Sequence, residues 1–299
     1  MQIGLVGLGK MGSKMVTRLV QRRHQVVAFD LDAESVREAE RNGARGADSV
    51  ADLVARLDTP RAVWVVVPHG EPTRMTITAL LDHLAVDDVI IDGGNSHYMD
   101  SLEHARRCEE RRLYFLDVGM SGGIWGLEVG YCLMAGGPRE AYERLEPVLA
   151  ALAPADGYAL VGPSGAGHFV KMVHNGVEYA MLQGIGEGFE LLGRSDFGID
   201  LRQVAELWGQ GSVVRSWLLE LLAAALGQDG NELETIAPFI EESGTGRWTA
   251  EYGLSHGIAL PAMTLALYER FASQTEDRFA HKVIAALRGQ FGGHPVRSK

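Results

Sequence analysis

The sequence predicts a doubly wound α/β unit with a mostly parallel sheet over residues 1–163, followed by an all-α unit over residues 164–299. Three observations carry that expectation. An apolar strand at the N-terminus runs straight into a glycine-rich turn and a helix; strand and helix patterns then alternate to residue 161; past Gly165 the strand pattern stops while helical periodicity continues.

In chain order, Gln2–Val6 is apolar and strand-like. Gly7-Leu8-Gly9-Lys10-Met11-Gly12 turns the chain into a helical pattern reaching about Arg23, and Gln25–Phe29 is a second strand, which completes a β-α-β unit. Strand patterns recur at 62–67, Val89–Asp92 and 113–117, interleaved with helical patterns at 71–84, 97–112 and Arg139–Leu152. Such alternation places a parallel sheet between two helical layers. After a short strand at 158–161, Gly162-Pro163-Ser164-Gly165 breaks the pattern. A long helix is expected over 165–192, then helices over Leu201–Trp208, 212–226, 232–242, 262–273 and 278–290.

The 299 residues exceed the usual size of one compact domain, and 46% hydrophobic with 22% charged residues is a globular composition with enough apolar mass for a core. The stretch 217–226 is interrupted by Glu220 and is too short to cross a bilayer. No basic segment with a cleavage site precedes the first strand, so no secretory signal is expected and the cytoplasm is the default compartment. Cys108 and Cys132 form no C-x-x-C pair, which suggests neither a disulfide framework nor a thiolate metal site. The ten histidines are scattered without an H-E-x-x-H pattern, so no metal is expected. With 39 acidic and 28 basic residues the net charge is −11, and no Lys/Arg tract offers a footprint for nucleic acid. An anionic substrate therefore has to be held by a few placed cations.

A lone G-x-G-x-x-G says little in a chain with 37 glycines, but here the motif sits between a strand and a helix. In that setting Gly7 permits the tight turn, Gly9 lets the backbone approach a pyrophosphate, and Gly12 lets helix and strand pack closely, with the phosphates at the positive helix N-terminus. Leu8, Lys10 and Met11 complete the turn. Val67, closing the strand pattern at 62–67, and Asn95 join the expected cofactor contacts. Asp30 follows the second strand at about the 20-residue offset where a carboxylate accepts hydrogen bonds from the adenosine ribose. This favours NAD over NADP, because a 2′-phosphate would face Asp30 and positions 31–36 hold no Arg or Lys. The plainer alternative is that Asp30 caps a turn and Asp32 caps the next helix.

Lys171, His174, Asn175 and Glu178 fall at i, i+3, i+4 and i+7, one stripe on a largely apolar helix. A solvated face usually mixes Lys, Glu, Gln and Arg, whereas this stripe holds one lysine and one acid with His and Asn between them. The functional alternative turns the stripe toward a nicotinamide in an interdomain cleft, with Lys171 as general base, its pKa lowered by partial burial, and Glu178 as a separate acid.

With these residues in hand, the chain resembles the decarboxylating 6-phosphogluconate dehydrogenases in their short-chain form, over nearly its whole length. The resemblance is carried by residues 7–12, Asp92-Gly93-Gly94-Asn95-Ser96, Ser121-Gly122-Gly123, the stretch 167–179, Gly244-Thr245-Gly246-Arg247-Trp248 and Phe291-Gly292-Gly293-His294. It implies that Lys171 takes the proton of the substrate 3-hydroxyl as hydride leaves C3, that the resulting β-keto acid loses CO2, and that Glu178 protonates C1 of the enediol to give ribulose 5-phosphate. It also implies that Asn95, Ser121, Gly122, Gly123, His174 and Asn175 hold the carboxylate and hydroxyls. Tyr179, Thr245, Arg270, Arg288 and His294 would hold the phosphate, Arg being suited to bidentate contacts.

Two departures stand out. Long-chain members carry a phosphate-binding lysine before Gly-Thr-Gly, where this chain has Glu241-Glu242-Ser243; Arg247 is a candidate replacement. The long form's duplicated helical region is also missing, which leaves Arg288 and His294 as candidates to serve a neighbouring subunit and implies a homodimer or homotetramer. Two alternatives remain. A non-decarboxylating β-hydroxyacid dehydrogenase would share the glycines, Ser-Gly-Gly and the lysine, but has no need of an acid such as Glu178 in the run His174-Asn175-Gly176-Val177-Glu178-Tyr179. A non-catalytic dinucleotide sensor would have no need of Lys171 and Glu178 together.

Overall fold

The computed structural model describes residues 1–275 and 278–292. It divides into two compact units, Met1–His174 and Asn175–Lys299, with the division inside a long helix. The expected break at 163/164 lies ahead of that helix, whose first two turns pack on the sheet of the first unit and are counted with it.

The strands are β1 (Gln2–Val6), β2 (Gln25–Phe29), β3 (Arg45–Gly46), β4 (Ala62–Val65), β5 (Val89–Asp92), β6 (Tyr114–Ser121), β7 (Cys132–Gly136) and β8 (Tyr158–Gly162). The helices of this unit are α1 (Gly12–Gln21), α2 (Ala33–Arg41), α3 (Val50–Ala55), α4 (Glu71–Leu81), α5 (Tyr98–Glu109), α6 (Gly126–Val129) and α7 (Arg139–Leu152), followed by the start of α8 (Ala166–Gly193). One sheet runs β3-β2-β1-β4-β5-β6-β7-β8, parallel throughout except between β6 and β7. The order reverses between β1 and β4, the switch point outside whose strand ends ligands bind in doubly wound sheets.

Alternate residues of one strand enter different cores. Ile3, Leu5, Trp64 and Ile91 join a cluster with Met15 and Leu19 of α1, whereas Val27, Val63, Val65 and Ile90 join one with Leu53 and Ile77. Both faces of the sheet are covered, so the strands read as continuous apolar runs. The pattern overlooks β3, which is two residues long, and β7, which lies between Gly130 and Gly137, both at positive φ.

The second unit is helical: the remainder of α8, α9 (Leu201–Trp208), α10 (Trp217–Asp229), α11 (Thr245–Ser255), α12 (Pro261–Ser273) and α13 (Phe279–Gly292). Phe189, Leu201, Ala205, Leu219 and Leu226 form one core, and Tyr179, Ala250, Ala266 and Leu267 another. The expectation of a helix over 232–242 is wrong. That segment is turns and extended chain, because Gly230 and Leu233 take positive φ and Pro238 has no amide to donate. Conversely, α11 escapes the sequence pattern because its buried face is small: Thr245, Gly246, Thr249, Ala250 and Gly253.

Candidate active site

The glycine-rich turn has the stereochemistry its spacing predicts. Gly7 sits at φ +100°, where a Cβ would run into the Val66 carbonyl and press on Val67, and a Cβ on Gly12 would strike the Gly7 carbonyl. Around Gly9 nothing lies within 4 Å of an added Cβ, so the backbone there is open to a ligand. Asp30 braces the turn: its Oδ2 accepts from the Leu8 amide at 2.6 Å and its Oδ1 from the Asp32 amide at 2.9 Å. Asp32 caps α2 through the amides of Glu34 and Ser35. Asp30 thus braces the turn, and a carboxylate that has accepted two amides still has lone pairs for a further donor. The next arginines along the chain, Arg37 and Arg41, are both bound to Glu34. The residues present fit a dinucleotide with a free 2′-hydroxyl.

At the end of β5, buried Asp92 organises the following loop. Its Oδ1 accepts from the Gly94 amide at 2.9 Å and its Oδ2 from Ser96 Oγ at 2.8 Å, which folds the chain so that half-buried Asn95 takes a φ of 57°. His104 Nδ1 lies 3.9 Å from Asp92 Oδ2, and burial lowers the imidazole pKa against the opposing pull of Asp92. A neutral ring there makes the contact packing rather than an ion pair.

Ser121 ends β6, and its Oγ is 3.2 Å from His174 Nε2; His174 Nδ1 is 3.4 Å from Lys171 Nζ. An ammonium has no lone pair, so with Lys171 charged the Nδ1 accepts and the Nε2 proton is donated to Ser121. Lys171 is 8% exposed and Asn175 9%, which rules out a solvated face for the stripe on α8. Glu178, two turns beyond Lys171 on the same helix, is half-buried.

What seats Lys171 is a set of residues the sequence reading passed over. Buried Asp117 on β6 accepts from the Gly165 amide at 2.6 Å and the His168 amide at 2.8 Å, so one carboxylate clamps the N-terminus of α8, the positive end of the helix dipole. Gly119, two residues on, lets α8 approach: a Cβ there would overlap Lys171 Cβ. Gly119→Ala is therefore expected to push α8, and Lys171 with it, off β6, lowering kcat by about 100-fold, as misplacements of about 1 Å do, with a lower Tm. Wild-type kcat in that variant, measured by steady-state kinetics, would show the seat to be unimportant. The available signal was an acid inside an otherwise apolar strand, Phe115-Leu116-Asp117-Val118.

The loop after Ser121 passes through Gly122 at φ +120° and Gly123 at φ +53°, with open space beside Gly123. Helix α1 tethers it. Lys14 Nζ donates to the Ile124 carbonyl at 2.5 Å, and buried Arg18 donates to the carbonyls of Leu127 at 2.8 Å and Ala151 at 3.0 Å. Tyr131 packs beneath Gly126, and burial pushes its hydroxyl pKa up to about 12.

In the second unit the Arg270 guanidinium stacks 3.5 Å from the centre of the buried Tyr179 ring, and its Nη1 donates to the Glu241 carbonyl at 2.9 Å. Gly246 abuts the same ring, and buried Thr245 has its hydroxyl 3.3 Å from Ser243 Oγ. Tyr179, Thr245 and Arg270 thus converge. Arg247 does not replace the missing lysine as a free cation: its Nη2 is bound to Glu242 Oε2 at 3.0 Å. The side chain of Arg288 and the whole of His294 lie outside the described residues. Among the described residues no group of three or more His, Cys, Asp or Glu side chains converges as a metal site, and no helix is long and apolar enough to cross a membrane.

Comparison with known proteins identifies the family. Residues 2–162 match the family model described as the NAD binding domain of 6-phosphogluconate dehydrogenase, and residues 167–294 the model of the 6-phosphogluconate dehydrogenase C-terminal domain. An NAD(+)-dependent, decarboxylating 6-phosphogluconate dehydrogenase of Haloferax volcanii is 46% identical over 300 residues, covering 100% of this chain and 99% of that protein. Among solved structures, the 6-phosphogluconate dehydrogenase of Plasmodium falciparum superposes with a TM-score of 0.84 at 27% identity, covering 100% of this chain and 66% of that one. A 3-hydroxyisobutyrate dehydrogenase of Mycobacterium tuberculosis gives 0.73 at 25% identity, over 96% and 99% of the two chains. The chain belongs to the 6-phosphogluconate dehydrogenase family.

Proposed function

We propose that the protein oxidises and decarboxylates 6-phosphogluconate to ribulose 5-phosphate and CO2 with NAD as acceptor. The observation that carries this is the line from buried Lys171 through half-buried His174 to half-buried Ser121 at the end of β6 in a dinucleotide-binding sheet. When bound, NAD supplies the acceptor for the hydrogen that leaves C3 with its electron pair. Lys171, once deprotonated, accepts the proton of the 3-hydroxyl. His174 keeps the Nζ lone pair oriented and joins it to Ser121. The C3 ketone then takes up the electrons of the breaking C2–C1 bond as CO2 departs, and the Lys171 proton returns to that oxygen. Glu178 delivers a proton to the carbon that becomes C1 of the product. Asn95, Ser121, Gly122, Gly123, His174 and Asn175 hold the carboxylate and hydroxyls, and Tyr179, Thr245 and Arg270 the phosphate, joined by Arg288 and His294.

Equal initial rates of NADH and CO2 formation from 6-phosphogluconate are the expected result. NADH without CO2 would make the protein a simple β-hydroxyacid dehydrogenase, and binding without turnover a sensor. Asp30 carries the preference for NAD. Asp30→Ala removes the ribose acceptor and the brace on Leu8, so the KM for NAD is expected to rise roughly tenfold, the worth of a hydrogen bond to a charged group, with the NADP value unchanged or lower. An unchanged NAD/NADP ratio in that variant locates selectivity elsewhere.

We also propose a homodimer or homotetramer acting in the cytoplasm. Leu265 and Tyr268 of α12 and Phe279, Ile284 and Leu287 of α13 are each more than half exposed in the single chain, an apolar surface that a second copy would cover. A monomeric mass in solution at full activity overturns this.

A further inference from the structure

The cluster around Tyr179 holds an acid that the reaction does not use. Glu242 precedes α11, and its carboxylate is bound on both oxygens: Oε1 accepts from the Gly244 amide at 2.6 Å and Oε2 from Arg247 Nη2 at 3.0 Å. Its side chain is 6% exposed although Arg247's is 54% exposed. Glu242 is thus a buried anion next to Ser243 and Thr245, and it follows Glu241, whose carbonyl holds Arg270. The N-terminus of a helix and a guanidinium both attract a phosphate, and here the chain's own carboxylate takes the guanidinium and the N-cap amide.

We infer that Glu242 is a specificity-determining residue that weakens the hold on the substrate's phosphoryl group. It neutralises Arg247 and leaves Arg270, with Tyr179 and Thr245, as the anion grip of this unit's described residues. The inference rests on the reading of Tyr179, Thr245 and Arg270 as the phosphate site given above. Glu242 does not touch substrate; it acts by occupying the groups that otherwise would. The consequence is a lower premium on the phosphate relative to the sugar-acid end, so discrimination against unphosphorylated aldonates is smaller than a freed Arg247 would give.

The test uses the full chain and four proteins: wild type, Glu242→Gln, Arg247→Ala and the double variant. Glutamine retains an oxygen for the Gly244 amide and removes the charge. Inorganic phosphate serves as a competitive inhibitor and, independently of turnover, as a ligand in thermal-shift titration. The expected result is that Glu242→Gln lowers both the KM for 6-phosphogluconate and the inhibition constant of phosphate about tenfold, the value of one charge-assisted contact, with kcat within about twofold. Arg247→Ala alone shifts the phosphate constant less than about twofold, and adding it to Glu242→Gln cancels the gain, since the freed guanidinium is its source. Weaker or unchanged phosphate binding in Glu242→Gln overturns the inference, as does a gain that survives in the double variant. Should Glu242→Gln not fold, a tenfold loss in Arg247→Ala overturns it alone. If the wild type fails to oxidise 6-phosphogluconate, the functional reading falls, while phosphate titration by thermal shift still decides the role of Glu242.

Discussion

Lys171→Ala is expected to lower kcat for 6-phosphogluconate oxidation by about 1,000-fold, within the roughly 100- to 10,000-fold range that a positioned acid–base group contributes. The size follows from the site. Lys171 is the buried amine beside His174, and no other lysine stands on the polar stripe of α8. Alanine removes the proton acceptor for the 3-hydroxyl and the donor to the ketone oxygen together, so oxidation and decarboxylation fall in step. The KM for NAD should stay within about twofold, because the dinucleotide turn is braced by Asp30 and not by this lysine. NADH and CO2 measured in parallel provide the check; a loss below about tenfold would mean that another group, or water, is the base.

Glu178→Gln comes next, with an expected loss of about 100-fold in steady-state CO2 release. Glutamine preserves size and hydrogen bonding but has no proton to give, so binding is retained and the protonation that completes ribulose 5-phosphate is slowed. The two variants separate the two proposed roles. In Glu178→Gln a first turnover of NADH formation should remain faster than the steady state, since Lys171 still serves the oxidation; in Lys171→Ala no such burst is expected. Rapid-mixing absorbance at the reduced nicotinamide band reads this directly, and an unchanged steady state would assign the final protonation to solvent. These expectations also separate this protein from a plain β-hydroxyacid dehydrogenase, for which an acid at position 178 would be dispensable.

Much of the site was legible as local pattern. A strand, three spaced glycines and a helix constrain backbone φ and close approach at Gly7 and Gly12, which are properties of a few consecutive residues. The helix over 165–192 was legible as periodicity, and α8 runs over Ala166–Gly193. What periodicity does not contain is which side of a polar stripe faces inward. That Lys171 and Asn175 are buried depends on what packs against α8, so solvated and buried stripes look alike in one dimension.

The sequence by itself thus determined the sheet-then-helix order of the chain, the glycine-rich turn and the family whose motifs it carries. Tertiary structure decided the rest, because those features join residues far apart in the chain. Asp117 on β6 clamps the amides of Gly165 and His168, Arg18 of α1 holds the carbonyls of Leu127 and Ala151, and Gly119 makes room for Lys171. Even Glu242 and Arg247, near neighbours in sequence, showed their pairing only once Gly244 at positive φ had turned the chain between them. Charge and side-chain type are written in the sequence, but whether a cation is free to meet a substrate depends on which carboxylate the fold has already placed beside it.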